Sequence, residues 1–190
     1  PLSPFKHRAF AVVWTATVVS NIGGWMQNTA GGWLMTSLNP DPRLVAMVQV
    51  AVALPMFLFG MPAGALADIF DRRRLLLAME TVGTLVTVAF ACLVLFDRIN
   101  PASLLALTFL AGTAAALVAP AWQAIVPQLV DRNDLAPAIA INSAGFNISR
   151  AVGPALAGLI IAYWGLQAPF WINAVSNLAV IGALLWWHAG

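Results

Sequence analysis

From Leu44 to Ala67 the chain runs about two dozen residues without a charge, and then five charges fall inside the eleven positions Gly64 to Arg74. A second apolar run follows, Leu75 to Phe96, interrupted only by Glu80. A bilayer core takes about 20 apolar residues per helix, and only helices or closed barrels satisfy their backbone within it. The runs are too long and unbroken for alternating barrel strands. The charged knot is therefore a short turn at a membrane surface. Its arginines are of the kind retained on the cytoplasmic side of short loops.

Composition agrees. Hydrophobic residues make up 61% and charged residues 8% of the 190, against about 25% charged in a soluble domain. Too little polar surface is left to cover a globule in water. The net charge of +2 is small and its basic residues stand at turns, so they describe topology rather than a nucleic-acid surface. Cys92 is the only cysteine, which excludes a disulfide framework and a thiolate metal site. The chain opens on Pro1 with no leader pattern, and is expected to be part of a longer one.

Six spans fit, at about 9–38, 44–67, 75–96, 102–127, 135–164 and 169–188, divided by polar turns such as Asn39-Pro40-Asp41-Pro42 and Asp131-Arg132-Asn133-Asp134. With the amino terminus inside, Lys6, Arg8, Arg72, Arg73, Arg74 and Arg132 are cytoplasmic, while Arg43 and Arg98 are outside. That asymmetry follows the positive-inside bias and places both termini in the cytoplasm. Trp164, Trp186 and Trp187 sit near span ends, where amphipathic rings favour the interface; Trp25 and Trp122 fall too deep for that.

Polar groups in hydrocarbon are costly, so their placement is informative. At 100° per residue, Asn21 and Asn28 lie within about 20° of each other, with Ser20, Gly24, Gln27 and Gly31 on the adjoining arc. Such a stripe serves either as amide-bonded helix packing or as the wall of a water-filled pathway, and Asn21, Gln27 and Asn28, with Trp25 as a stacking surface, are assigned to that wall. In the fifth span Gly145, Ser149, Gly153 and Ala157 repeat at steps of four, the pattern of close helix approach, and Gly153-Pro154 permits bending. On the neighbouring face lie Ser143, Asn147 and Arg150, the last about halfway through the bilayer. Glu80 is the one acid clearly within a span. It is read either as a carboxyl that alternates between protonated and charged, or as a structural partner of Arg73 and Arg74. No metal-spaced cluster, phosphate loop or catalytic constellation appears, so no enzyme activity, metal or cofactor is expected.

The stretch Gly64, Leu66, Ala67, Asp68, Arg72, Arg73 resembles the cytoplasmic signature between the second and third helices of major facilitator superfamily transporters, with Ile69 and Asp71 departing from it. The series Gly145, Gly153-Pro154, Gly158 is similar to the superfamily's fifth-helix antiporter motif, here read as a hinge. SNIGGWMQNTAGGWLMTSL, APAWQAIVPQLVDRNDLAPAIAINSAGFNISRAVGPALAGLI and PFWINAVSNLAV resemble the exporter branch called transmembrane secretion effectors, which includes the enterobactin exporter. This covers nearly the whole chain. The resemblance implies an all-α fold of twelve helices in two halves, each an inverted 3+3 repeat, of which this chain matches the amino-terminal half. It further implies a bacterial inner-membrane efflux antiporter, exporting a small amphipathic, drug- or siderophore-like molecule against protons by alternating access. Asp68, Arg72 and Arg73 would act in a cytoplasmic gate, with Asp131 as a second acceptor for Arg72. The partners are then substrate, protons, lipid, and a missing carboxy-terminal half or a second copy of this one. The competing readings are a six-helix half working as a dimer and a non-transporting membrane scaffold.

Overall fold

The computed structural model describes residues 2–187, and among these the regular structure is helical. A 3-10 turn, Ser3–Lys6, leads into α1 (Arg8–Leu38), α2 (Pro42–Ile69), α3 (Arg72–Leu95), α4 (Pro101–Leu129), α5 (Leu135–Trp164) and α6 (Ala168–Trp186). All six are long and apolar enough to cross a membrane. The bounds match the expected spans to within a few residues; His188, where the sixth was expected to end, lies outside the described residues.

Capping explains where the bounds shift. Asp41 accepts from the Arg43 backbone N–H, with Pro42 at the first helical position, so α2 starts early. Asp71 does the same for Arg73 at 3.2 Å. The arginine cluster is thus the first turn of α3 and not a free loop. Cations there oppose the helix dipole, and each finds its own answer. Arg74 reaches back to Asp71 at 3.7 Å. Arg73 leans across to α6, where its Nε donates to the Leu184 and Trp187 carbonyls, both at 2.7 Å. Those carbonyls stand at the carboxyl end of α6, where a guanidinium is favourable. α5 ends on Gly165, whose φ of 90° suits a residue without a Cβ.

α1 packs on α5 and α6, α4 packs on α2 and α3, and α3 meets α6. Exchanging α1–α3 for α4–α6 returns the same set of neighbours. Because short turns reverse the chain at each helix, α1 and α4 run in opposite directions. This is the inverted 3+3 repeat.

The core is layered along the bundle. At the end carrying the amino terminus, Phe10, Val13, Leu76, Ile125, Leu184 and Trp187 form one apolar cluster. At the far end Leu34, Met35, Val48, Phe90, Leu104 and Phe170 form another, in which Phe90 and Phe170 stack at 4.3 Å. Between them lies a layer of buried polar side chains: Gln27, Thr84, Thr87, Thr108, Ser149, Asn173, Ser176 and Asn177. A polar layer in a membrane bundle must be hydrogen-bonded or wet. This one is both paired and open.

Candidate functional site

α1 touches α2 and α4 only lightly, and the gap between them is a cavity of about 660 Å³. It sits in the polar layer, between the two apolar clusters. α1 supplies Ser20, Asn21, Gly24, Trp25, Gln27, Asn28 and Gly31. These are the stripe that helical periodicity put on one face, so all four residues assigned to a wall do line one cavity. The exposed lining residues, Met56, Gln123, Ser143 and Asn147, come from α2, α4 and α5. The mouth therefore opens on the face those helices share.

The stripe divides between helix packing and the lining of the cavity. Its deep edge is packing: Asn173 Nδ2 donates to Gln27 Oε1 at 2.6 Å, and Ser20 Oγ donates to Asn177 Oδ1 at 2.7 Å. Asn21 and Asn28 are half-buried and turn to the cavity. Sequence reading did not single out Asn173, Ser176 and Asn177 on α6. Their three- and four-residue steps in PFWINAVSNLAV were a sufficient signal for a helix face meeting the α1 amides.

The deep tryptophans have their explanation here. Trp25 meets Phe146 edge to face at 6.1 Å. Trp122 lies beside Glu80. Both rings line the cavity. Glu80 carries two readings, an alternating carboxyl and a partner of Arg73 and Arg74, and among the described residues it contacts neither arginine in an ion pair. α3 presents Met79, Glu80, Gly83 and Thr87 as one wall, while Arg73 and Arg74 are engaged with α6 and Asp71. Among the lining residues Glu80 is the sole charge.

The expected gate is arranged differently from the expectation. Asp68 is exposed and forms no ion pair with Arg72 among the described residues. Arg72 Nε is buried with no hydrogen-bond partner. Asp131 faces the amino-terminal segment instead, 3.9 Å from His7 Nε2. The buried acid of that turn is Asp134, which accepts from Ser3 Oγ at 2.8 Å and lies 2.8 Å from His7 Nε2 and 3.5 Å from Lys6 Nζ. These contacts hold the Asp134 carboxyl below its usual range, His7 first and Ser3 next, against a smaller effect of burial.

The glycine series divides. A Cβ on Gly145 would meet Val18 at 2.9 Å, and one on Gly153 would meet Trp25 at 2.5 Å. These two glycines let α5 approach α1. Gly64 and Gly158 have open space around them. Pro154 and Arg150 lie on the exposed face of α5 with Ser143 and Asn147, and Arg150 has no ion-pair partner among the described residues and does not line the cavity.

The fold, the inverted repeat and the polar cavity between the halves of that repeat can now be set beside known proteins. The family model of transmembrane secretion effectors matches residues 1–190. The chain belongs to this family. Its relatives in the family include the staphyloferrin A transporter of Staphylococcus aureus, 29% identical over 84% of this chain and 41% of the relative. The enterobactin exporter of Shigella boydii is 28% identical over 94% and 43%. Macrolide efflux protein A of Streptococcus pyogenes is 23% identical over 93% and 42%. The chain thus spans about two-fifths of the length of these secretion-effector relatives, as one six-helix half of a major facilitator fold does.

Proposed function

We propose that this secretion-effector chain is the amino-terminal half of a secondary active exporter of small amphipathic molecules, driven by proton antiport through alternating access. The observation that carries the reading is the cavity: a polar, aromatic-lined space between the halves of an inverted repeat, where such folds hold their substrates. Its mouth lies on the face shared by α2, α4 and α5, and the unpartnered Arg150 stands on the exposed side of α5. A second six-helix half placed against that face would complete the site. The relatives' length and their names as transporters of a siderophore, an exporter and an efflux protein support the same arrangement. The arginine bias supports a cytoplasmic side for both ends of this half.

Asp68 and Arg72 act in this reading at the junction with the other half. An exposed carboxylate at the carboxyl end of α2, where the dipole disfavours it, and a buried guanidinium nitrogen without a partner are both groups that a docked second half can satisfy in one conformation and release in another. The test uses the full-length protein in proteoliposomes. A pH gradient, acidic on the extravesicular side of the exporting orientation, should drive substrate flux, and Asp68→Asn should slow turnover while leaving expression unchanged. Flux indifferent to the gradient removes proton coupling; normal turnover in Asp68→Asn removes the gate.

A further inference from the structure

We infer that the cavity selects its ligand by charge: it is a site for a monovalent organic cation with an apolar, aromatic-sized body, and Glu80 is the residue that sets that selection. The inference rests on the cavity being the substrate site and adds the class of molecule it takes.

The lining is unusually one-sided. Its uncharged polar groups are amides and hydroxyls, Asn21, Asn28, Asn142 and Gln123 among them, and these serve donors and acceptors alike, so they do not discriminate by sign. Aromatic rings do. Trp25, Trp122 and Phe146 border the space, and the face of an aromatic ring attracts a cation and repels an anion. Among the described residues the only charged lining side chain is Glu80, beside Trp122. Of the cations next to it in sequence, Arg73 is committed to the α6 carbonyls and Arg74 to Asp71, and Arg72, whose Nε has no partner, does not line the cavity. Arg150 does not line the cavity. On the wall that this half supplies, an anionic ligand would therefore meet a carboxylate and no guanidinium or ammonium group. A cation would meet a carboxylate and aromatic faces together. The volume of about 660 Å³ lies within the range of small-molecule sites.

The probes are tetraphenylphosphonium and tetraphenylborate, which share shape and differ in sign. Equilibrium binding to the purified full-length protein in detergent, and gradient-driven flux in proteoliposomes, are measured for both, with the same protein carrying Glu80→Gln and Glu80→Asp. Tetraphenylphosphonium is expected to bind at least about tenfold more tightly than the borate, about 1.4 kcal/mol, most of it supplied by the Glu80 carboxylate. Glu80→Asp should keep the preference and Glu80→Gln should collapse it to within about twofold. A second measurement needs no variant: carbodiimide labelling of Glu80, located by peptide mass spectrometry, should be slowed by the phosphonium and not by the borate. A preference that survives Glu80→Gln, equal binding of the two probes, binding of neither, or labelling indifferent to the phosphonium each overturns the inference. The two readings fail separately. Glu80-dependent cation binding without flux leaves the site standing and removes the exporter; flux of an uncharged substrate without cation preference does the reverse.

Discussion

Asn173 on α6 donates a hydrogen bond of 2.6 Å to Gln27 on α1, inside the polar layer that separates the two apolar clusters. Both amides are buried. Removing either leaves the other with an unpaired polar group in a low-dielectric interior, a penalty of about 1–3 kcal/mol. Gln27→Leu is expected to lower the thermal midpoint of the full-length protein in detergent, and Asn173→Leu likewise. The double variant should recover part of the loss, since membrane amide pairs couple by only about 0.6–2 kcal/mol. Strict additivity in that double-mutant cycle means the two side chains act independently.

The glycines of α5 give a paired comparison within one helix. At Gly153 a methyl group would fall 2.5 Å from Trp25 Cβ, against a helix whose backbone, at the Ile22 carbonyl, stands 3.2 Å away. Neither can yield without moving α1. Gly153→Ala is expected to destabilise by about 1–3 kcal/mol, the usual effect of overpacking, and to shift Trp25 within the cavity. Gly158→Ala meets nothing within 4 Å and should be neutral or slightly stabilising, because it removes backbone entropy from the unfolded chain. Equal midpoints for the two variants, read by thermal unfolding, contradict the close approach of α5 to α1.

The same residues show what could be read from the chain alone. Uncharged runs and polar turns set six spans, because membrane length and backbone satisfaction leave one solution for such runs. The α1 stripe was legible because helical periodicity fixes which side chains share a face. Glu80 stayed between two readings for a physical reason: a lone acid two turns into a helix looks like a neighbour of the arginines beside it in sequence. Only the tertiary arrangement shows Arg73 drawn off to α6 and Glu80 turned to Trp122. Likewise Gly145, Gly153 and Gly158 form one series in sequence. Whether a helix partner stands opposite each is a fact of packing, and it separates the first two from the third.

Asp134 lies in the turn between α4 and α5, outside the helices that span the membrane, and ties the amino-terminal segment to that turn. Its folded-state pKa is depressed by His7, then by Ser3, with Lys6 adding to both. The contribution is therefore fully present above the ordinary Asp value of about 4, and is lost as pH falls through the lower folded value. Other carboxylates titrate in the same window, Asp131 beside His7 included, so the comparison is between variants. Asp134→Asn should lower the thermal midpoint at neutral pH and narrow its gap to the parent protein as pH drops below about 4. A gap constant down to pH 2 would mean that the carboxyl is not what holds the segment.

Arg150 offers a prediction that separates architecture from transport. It stands on the exposed face of α5 beside Ser143, Asn147 and Pro154, all of them exposed, and has no acidic partner among the described residues. If its charge served the six-helix bundle, some group of the bundle would hold it. Among the described residues its side chain makes no hydrogen bond to the carbonyls around Pro154. A central arginine left facing lipid is unfavourable by about 2.5–3.5 kcal/mol even on lenient insertion scales, so its face is expected to meet the second half of the protein or the water between the halves. Arg150→Ala should accordingly leave the helical content and thermal midpoint of the full-length protein within about 0.5 kcal/mol of the parent, as a substitution away from packed contacts does. It should nevertheless change the rate of pH-gradient-driven flux, and Arg150→Lys should restore part of that rate by keeping the charge. Unfolding of Arg150→Ala places the residue in the architecture of the half after all; a normal flux in a stable Arg150→Ala protein leaves the arginine without a part in transport.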